Sequence, residues 1–166
     1  MRGPQKSEPP VGGRGSAESQ RQEAATVYSG PSDVVESEFA IVGTALTSGA
    51  GVLEHLDLKG SEFLDPSMRA AYNAIQAVTV ALGQEVHIGT VAQELLTRGD
   101  SAVCPIKLLN DVAVEWSCQP DLLPHHAARV KVAAKERRLR LICATLAERP
   151  EMTREMLPEL QRLAGE

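Results

Sequence analysis

Asp65-Pro66-Ser67-Met68-Arg69-Ala70-Ala71-Tyr72-Asn73-Ala74-Ile75-Gln76-Ala77-Val78-Thr79-Val80-Ala81-Leu82-Gly83 carries its own start, face and stop. Asp65 offers a side-chain oxygen to the first unpaired amides of a helix, and Pro66 occupies the first turn, where a missing N–H costs nothing. Ala71, Ile75, Val78 and Leu82 recur at helical spacing, with Met68 and Tyr72 flanking the stripe. Gly83 suits the left-handed position just past a helix end. A stretch so punctuated is a helix, and no stretch of comparable length alternates as a strand would.

The same signals repeat on both sides. Upstream, Asp33 with Glu36 resembles a capping box, and Val35, Phe39, Val42 and Leu46 form one stripe that ends at Ser48-Gly49-Ala50-Gly51. A short helix is expected around Val52 to Leu56. Downstream, a helix is expected from about Thr90 to Arg98, with Val91, Ala92, Leu95 and Leu96 inward and Gly99 closing it. Pro105 opens the next, with Ile106, Leu109, Val112 and Trp116 inward, until Gln119-Pro120 breaks it. The longest helix starts near Leu122 to Pro124 and reaches about Glu148. Leu123, Ala127, Val130, Ala134, Leu141 and Ala144 hold a heptad-like spacing that Arg137 interrupts, and Arg149-Pro150 ends it. A last helix, about Thr153 to Leu163, carries Met156, Leu160 and Leu163 on one face. Long helix, short break and short helix make a hairpin.

The expected fold is therefore all-α: a compact bundle of about five to six helices followed by a helical hairpin. Residues 33–119 form a globular head and 120–166 the hairpin, as one domain. Residues 1–32 hold no Leu, Ile or Phe and are rich in Gly, Pro, Ser, Gln and Glu, so they are expected to be a disordered tail. The composition agrees. The chain is 43% hydrophobic but 3% aromatic, so Ala, Leu and Val must fill the core, which suits helix-on-helix packing.

Chemistry is sparse. No G-x-x-x-x-G-K-[ST] occurs, so no phosphate-cradling loop is present, and Gly12, Gly13 and Gly15 lie in the polar tail without a flanking strand or helix. His125 and His126 are adjacent, point about 100° apart on a helix and lack a ligand one turn away, so no metal is expected. No nucleophile elbow appears. Glu36 with Glu38, or Asp100 with Asp111, read as cap and surface carboxylates rather than acid–base pairs. Cys104, Cys118 and Cys143 are odd in number and have no C-x-x-C spacing, which suits reduced thiols. Residues 1–10 have no apolar signal region, and no apolar run approaches the ~20 residues of a membrane span. A cytoplasmic, non-enzymatic protein without a cofactor is the expectation.

One local feature stands out in a chain of net charge −5. From Arg129 to Arg140 run Arg129, Lys131, Lys135, Arg137, Arg138 and Arg140 against the single acid Glu136. Two readings stand: a basic surface for an acidic protein or for phosphates, or a solvated face that balances an acidic domain. No aromatics interleave, which argues against stacking on single-stranded nucleic acid.

The order of these motifs resembles the N-terminal domain of the bacterial replicative DNA helicase (DnaB-like) family. The opening helix, Val35-Glu36-Ser37-Glu38-Phe39-Ala40-Ile41-Val42-Gly43-Thr44-Ala45-Leu46, has Val42-Gly43 where Leu-Gly is usual in the family. Phe63, Asp65, Arg69, Tyr72 and Ile75 match the spacings of its next pattern. Gly83, Val86-His87 and the helix Thr90 to Leu95 closing at Gly99 follow, with His87 in place of an Asp. Val130, Arg137, Arg138 and Leu139 match the long helix, with His126 where an aromatic is common. The loop from Asp100 to Pro105 lacks the family's Gly pair. The resemblance covers about Val34 to Pro150.

The resemblance implies a non-motor domain whose hairpin pairs between subunits in the ring collar and which docks primase. It implies Arg129, Lys135, Arg138, Leu139, Ile142 and Leu146 as candidates for the partner-binding hairpin surface, with Met156 and Leu160 packing within the hairpin or against a sister hairpin. Expected partners are a second copy and a primase or replicative helicase, with at most weak direct contact to DNA and none to membrane. The chain reads either as a stand-alone relative of that domain or as part of a larger helicase. The alternative is a DNA-binding regulator using the basic helix face.

Overall fold

The computed structural model describes residues 31–83 and 86–165, and all its regular structure is helical. Six α-helices are described: α1 (Pro31–Ser48), α2 (Pro66–Leu82), α3 (Ile88–Arg98), α4 (Ile106–Glu115), α5 (Leu123–Glu148) and α6 (Thr153–Gly165). Short 3₁₀ turns at Ala50–Leu53, Gly60–Glu62, Pro120–Leu122 and Pro150–Met152 join them. This is the expected all-α bundle with a trailing hairpin. The tail expected over residues 1–32 lies, for residues 1–30, outside the described residues.

The start and stop signals hold where they were strongest. The Asp65 carboxylate accepts from the Ser67 and Met68 amides at 2.8 and 3.0 Å, and Pro66 begins α2. Gly83 and Gly99 both take positive φ, and Gly99 is left-handed at the end of α3. The weaker signals shift. α1 begins at Pro31, so Asp33 is not its cap; it lies in the first turn, where its carbonyl accepts from Ser37 Oγ at 2.9 Å. α3 begins at Ile88, before Thr90, whose hydroxyl instead closes on the backbone of the capping residue His87. The short helix expected at Val52 to Leu56 is a 3₁₀ turn from Ala50 to Leu53.

α1 is the central element. The expected stripe of Val35, Phe39, Val42 and Leu46 understates it, because Val34, Ala40, Ile41 and Ala45 are buried too. A helix buried over most of its circumference also buries polar side chains. Its three, Ser37, Glu38 and Thr44, are each satisfied by a different neighbour, as burial requires. His126 on α5 meets Ser37, the turn before α2 meets Glu38, and Cys118 after α4 meets Thr44.

α4 crosses α1 at Gly43. A Cβ there would stand 2.6 Å from the Val112 carbonyl oxygen and 3.1 Å from backbone atoms of Trp116 and Ser117, so the backbones meet because residue 43 has no side chain. Beside the crossing, Thr44 Oγ1 accepts from the Cys118 amide at 2.9 Å, and Phe39 stacks on Trp116 with ring centroids 5.4 Å apart. Phe63 and Tyr72 form the other aromatic pair at 4.6 Å, which together with Ile41, Met68, Ile75, Leu95 and Leu109 anchors the core.

α5 enters that core only with its first half. Leu123, Ala127 and Val130 belong to it. Further along, Ile142 is buried but belongs to the hairpin, as does Leu163 on α6. α6 packs back on α5 and on the Pro150–Met152 turn, and the half-buried Met156 and Leu160 share its inner side with Leu163. Among the described residues no helix is long and apolar enough to cross a membrane.

Candidate interaction surface on the helical hairpin

The stripe along α5 fixes where the head ends. Leu123, Ala127 and Val130 are at most 3% exposed, Ala134 is half-buried, and Leu141 is 59% exposed with Ala144 exposed beyond it. Residues that repeat on one helix face should share one environment, and here that environment changes midway. The head covers the first half of the stripe and leaves the second bare. Val132, Cys143 and, on α6, Leu157 add to the exposed apolar surface of the hairpin.

The six candidate residues separate into three kinds. Ile142 is 2% exposed and serves the hairpin's own packing, so it is not free to touch another molecule. Leu139 and Leu146 are half-buried. Of the charged residues, Lys135 is half-buried, and Arg138 grips Glu159 of α6 through two hydrogen bonds of 2.7 and 3.2 Å, stapling the hairpin. That pairing draws the half-buried Glu159 carboxyl below the usual carboxylate range. Arg129 is half-buried, and its Nε is shielded from solvent without a hydrogen bond.

The rest of the basic run is similarly engaged. Arg137 donates to the Glu62 carbonyl, Arg140 pairs with Glu136 at 3.1 Å, and Lys131 reaches Asp57 at 3.5 Å. Four of the six cations thus have partners within the chain. Such a face carries less net field than its sequence suggests, and a phosphate chain would have to displace those partners.

His126 extends α5's contact with α1. Ser37 Oγ already gives its hydrogen to the Asp33 carbonyl, so the Nδ1–H of His126 is the donor across the 3.2 Å separation. Burial first, then Arg129 and His125, push the pKa of this imidazole below its ordinary value. His125 stands edge-on to it at 6.2 Å, and no cluster of three metal-ligating side chains occurs among the described residues.

Sequence reasoning passed over a second charged node. Glu38 is fully buried, and its carboxylate accepts from the Leu64 and Asp65 amides at 2.5 and 2.8 Å. Burial raises its pKa against the two amides and Arg137, which pull it down. Glu36, two residues earlier, is exposed, so the two carboxylates do not share a site. Helical phase alone hints at Glu38's burial: it sits one turn after Val34 and one turn before Val42. Asp100 follows α3 and Asp111 is exposed on α4.

An open groove of about 260 Å³ runs between α2 and α3, lined by Ala77, Ala81, Leu82, Thr90 and Thr97 among others. Among the described residues that line it, Glu94 is ionisable and is held by Arg98 at 2.7 Å. Compared with known proteins, the chain matches no family model and no curated protein.

Proposed function

We propose that the chain is a non-catalytic protein–protein interaction module of DNA replication, related to the helicase N-terminal domain, and that its hairpin associates with a second copy. One observation carries the reading: the apolar stripe of α5 is covered by the head as far as Val130 and exposed at Leu141 and Ala144. Exposed apolar residues in register with a buried stripe are what helix–helix association needs. The resemblance in motif order supplies the replication context and the primase-like or helicase-like partner.

Size-exclusion chromatography with light scattering tests the first part. A concentration-dependent dimer or larger species is expected, and a strict monomer at high concentration refutes the association. A pull-down with purified primase and replicative helicase tests the second. The DNA-binding alternative is disfavoured by the internal partners of Lys131, Arg137, Arg138 and Arg140. Short duplex or single-stranded DNA is expected to keep its mobility with this protein at low salt, and a salt-sensitive shift would revive that alternative.

A further inference from the structure

We propose that Glu38 and Arg137 form a latch that sets the angle at which the hairpin leaves the head. Both hold one turn, residues 62–65, instead of each other. Glu38 on α1 takes the Leu64 and Asp65 amides, and Arg137 on α5 donates to the Glu62 carbonyl. The turn is fixed from α2 as well, through Arg69 on the Phe63 carbonyl at 2.8 Å and the Asp65 cap. Three helices therefore meet at four residues of backbone.

The position of Arg137 gives the tie leverage. α5 touches the core last at Val130, and its stripe is bare by Leu141. The other cross-link in this region, Lys131 to Asp57, is long and solvent-exposed and so holds little. α5 is one continuous helix, so it moves as a rod about its buried first half. At 1.5 Å per residue Arg137 lies about 10 Å beyond Val130, and Cys143 about 20 Å beyond it. A slip at the latch is thus about doubled at Cys143. Glu38 makes the tie possible because its buried negative charge lies near the half-buried guanidinium, which would otherwise be desolvated beside a neutral carbonyl.

The inference stands on this geometry and not on the replication reading. In an assembly of paired hairpins the latch would fix the angle between copies. Its test is a distance distribution between spin labels on the native exposed Cys143 and on a Val80→Cys head site, with Cys118→Ala and the buried Cys104 left unlabelled. A single narrow distance is expected for the otherwise native chain. Arg137→Met and Glu38→Gln are expected to shift or broaden it by about 5 Å, the doubled loss of a hydrogen-bond length. Arg137→Lys, which keeps a charge and a donor, is expected to restore it.

An unchanged distribution in folded Arg137→Met overturns the latch, as does failure of Arg137→Lys to restore a distribution that Arg137→Met has disturbed. Because Glu38→Gln alters a fully buried side chain, hydrogen exchange on the native chain gives a second reading. The Leu64 and Asp65 amides are expected to be protected about tenfold or more by their carboxylate and to lose that protection in Arg137→Met. Free exchange in the native chain, or unchanged protection in Arg137→Met, overturns the latch equally.

Discussion

Gly43→Ala adds one methyl group at the point where α1 and α4 cross. Its Cβ would lie 2.6 Å from the Val112 carbonyl oxygen, whereas an unstrained carbon–oxygen contact needs roughly 3.3–3.6 Å. The helices must therefore separate by about 0.7 Å or more. The obstacle is backbone and cannot rotate away. The Val112 carbonyl is itself held, accepting from the Trp116 amide at 3.0 Å, and Thr44 next door is tied to Cys118. Overpacking of this kind costs about 1–3 kcal/mol, and an immovable obstacle places it in the upper half of that range. Against it stands the better helix propensity of alanine, up to about 1 kcal/mol. The net expectation is a loss of about 1–2 kcal/mol, or a melting temperature lower by about 2–8 °C for a chain of this size. Circular dichroism reports the melting. The fluorescence of Trp116, the single tryptophan, reports the crossing itself, since its carbonyl carbon would lie 3.1 Å from the new methyl. Gly89→Ala is the matched control: the site is exposed on α3 and a Cβ there meets nothing within 4 Å, so equal or slightly higher stability is expected. A Gly43→Ala protein as stable as wild type, with unchanged Trp116 emission, would refute the close crossing.

Three further outcomes follow from the described residues. Thiol labelling is expected in the order Cys143, Cys118, Cys104: the first is exposed, and the last is buried with its pKa pushed up to about 11, so reaction of Cys104 before unfolding, followed by mass spectrometry, would contradict its burial. The raised pKa of Glu38 means that the folded chain holds its proton more tightly than the unfolded chain; the stability it contributes is fully present below the ordinary value of 4.5 and is lost as pH rises through the raised value. The denaturation free energy of wild type relative to Glu38→Gln is therefore expected to fall as pH rises above about 4.5, and a flat difference would show that Glu38 is not desolvated. Leu141→Lys places a charge on the exposed half of the α5 stripe and is expected to leave melting nearly unchanged while weakening self-association at least about tenfold in sedimentation; equal association would move the interface elsewhere.

Helix existence and order were legible because their signals are local. Asp65-Pro66 caps α2 with its own atoms, and Gly99 ends α3 through its own φ. What periodicity could not supply is how far a neighbour extends along a face. Leu82, Leu96, Ile106 and Leu141 all belong to stripes expected to face inward, yet they are 64, 60, 54 and 59% exposed. Leu82, Ile106 and Leu141 lie near helix ends or beyond the head, whereas Leu96 points about 100° away from its fully buried neighbour Leu95. Trp116 likewise reaches the rim, half-covered by Phe39. The converse error is Glu38. A lone acid on a helix reads as solvated, and only the three-dimensional position of the Leu64 and Asp65 amides gives its carboxylate a reason to be inside. The same holds for the basic run, whose partners Asp57, Glu62 and Glu159 lie far along the chain from the residues they hold.

That contrast bears on where function should be sought. A basic stretch looks like a surface when its partners are out of view, and here its cations are engaged within the chain: Arg138 by Glu159 on the hairpin's own second helix, Arg137 by the Glu62 carbonyl in the turn before α2. Beside the paired and still exposed Arg138 and Arg140, the outer half of α5 presents the apolar Leu141, Cys143 and Ala144. A charged partner would have to compete with these internal ties one by one. A second apolar helix would compete with nothing at Leu141 and Ala144, because the head has ended and α6 packs on another side, burying Ile142. Desolvation therefore favours the proposed helix pairing at the outer half of α5 over electrostatic capture, and in that proposal the arginines hold the hairpin's shape and angle.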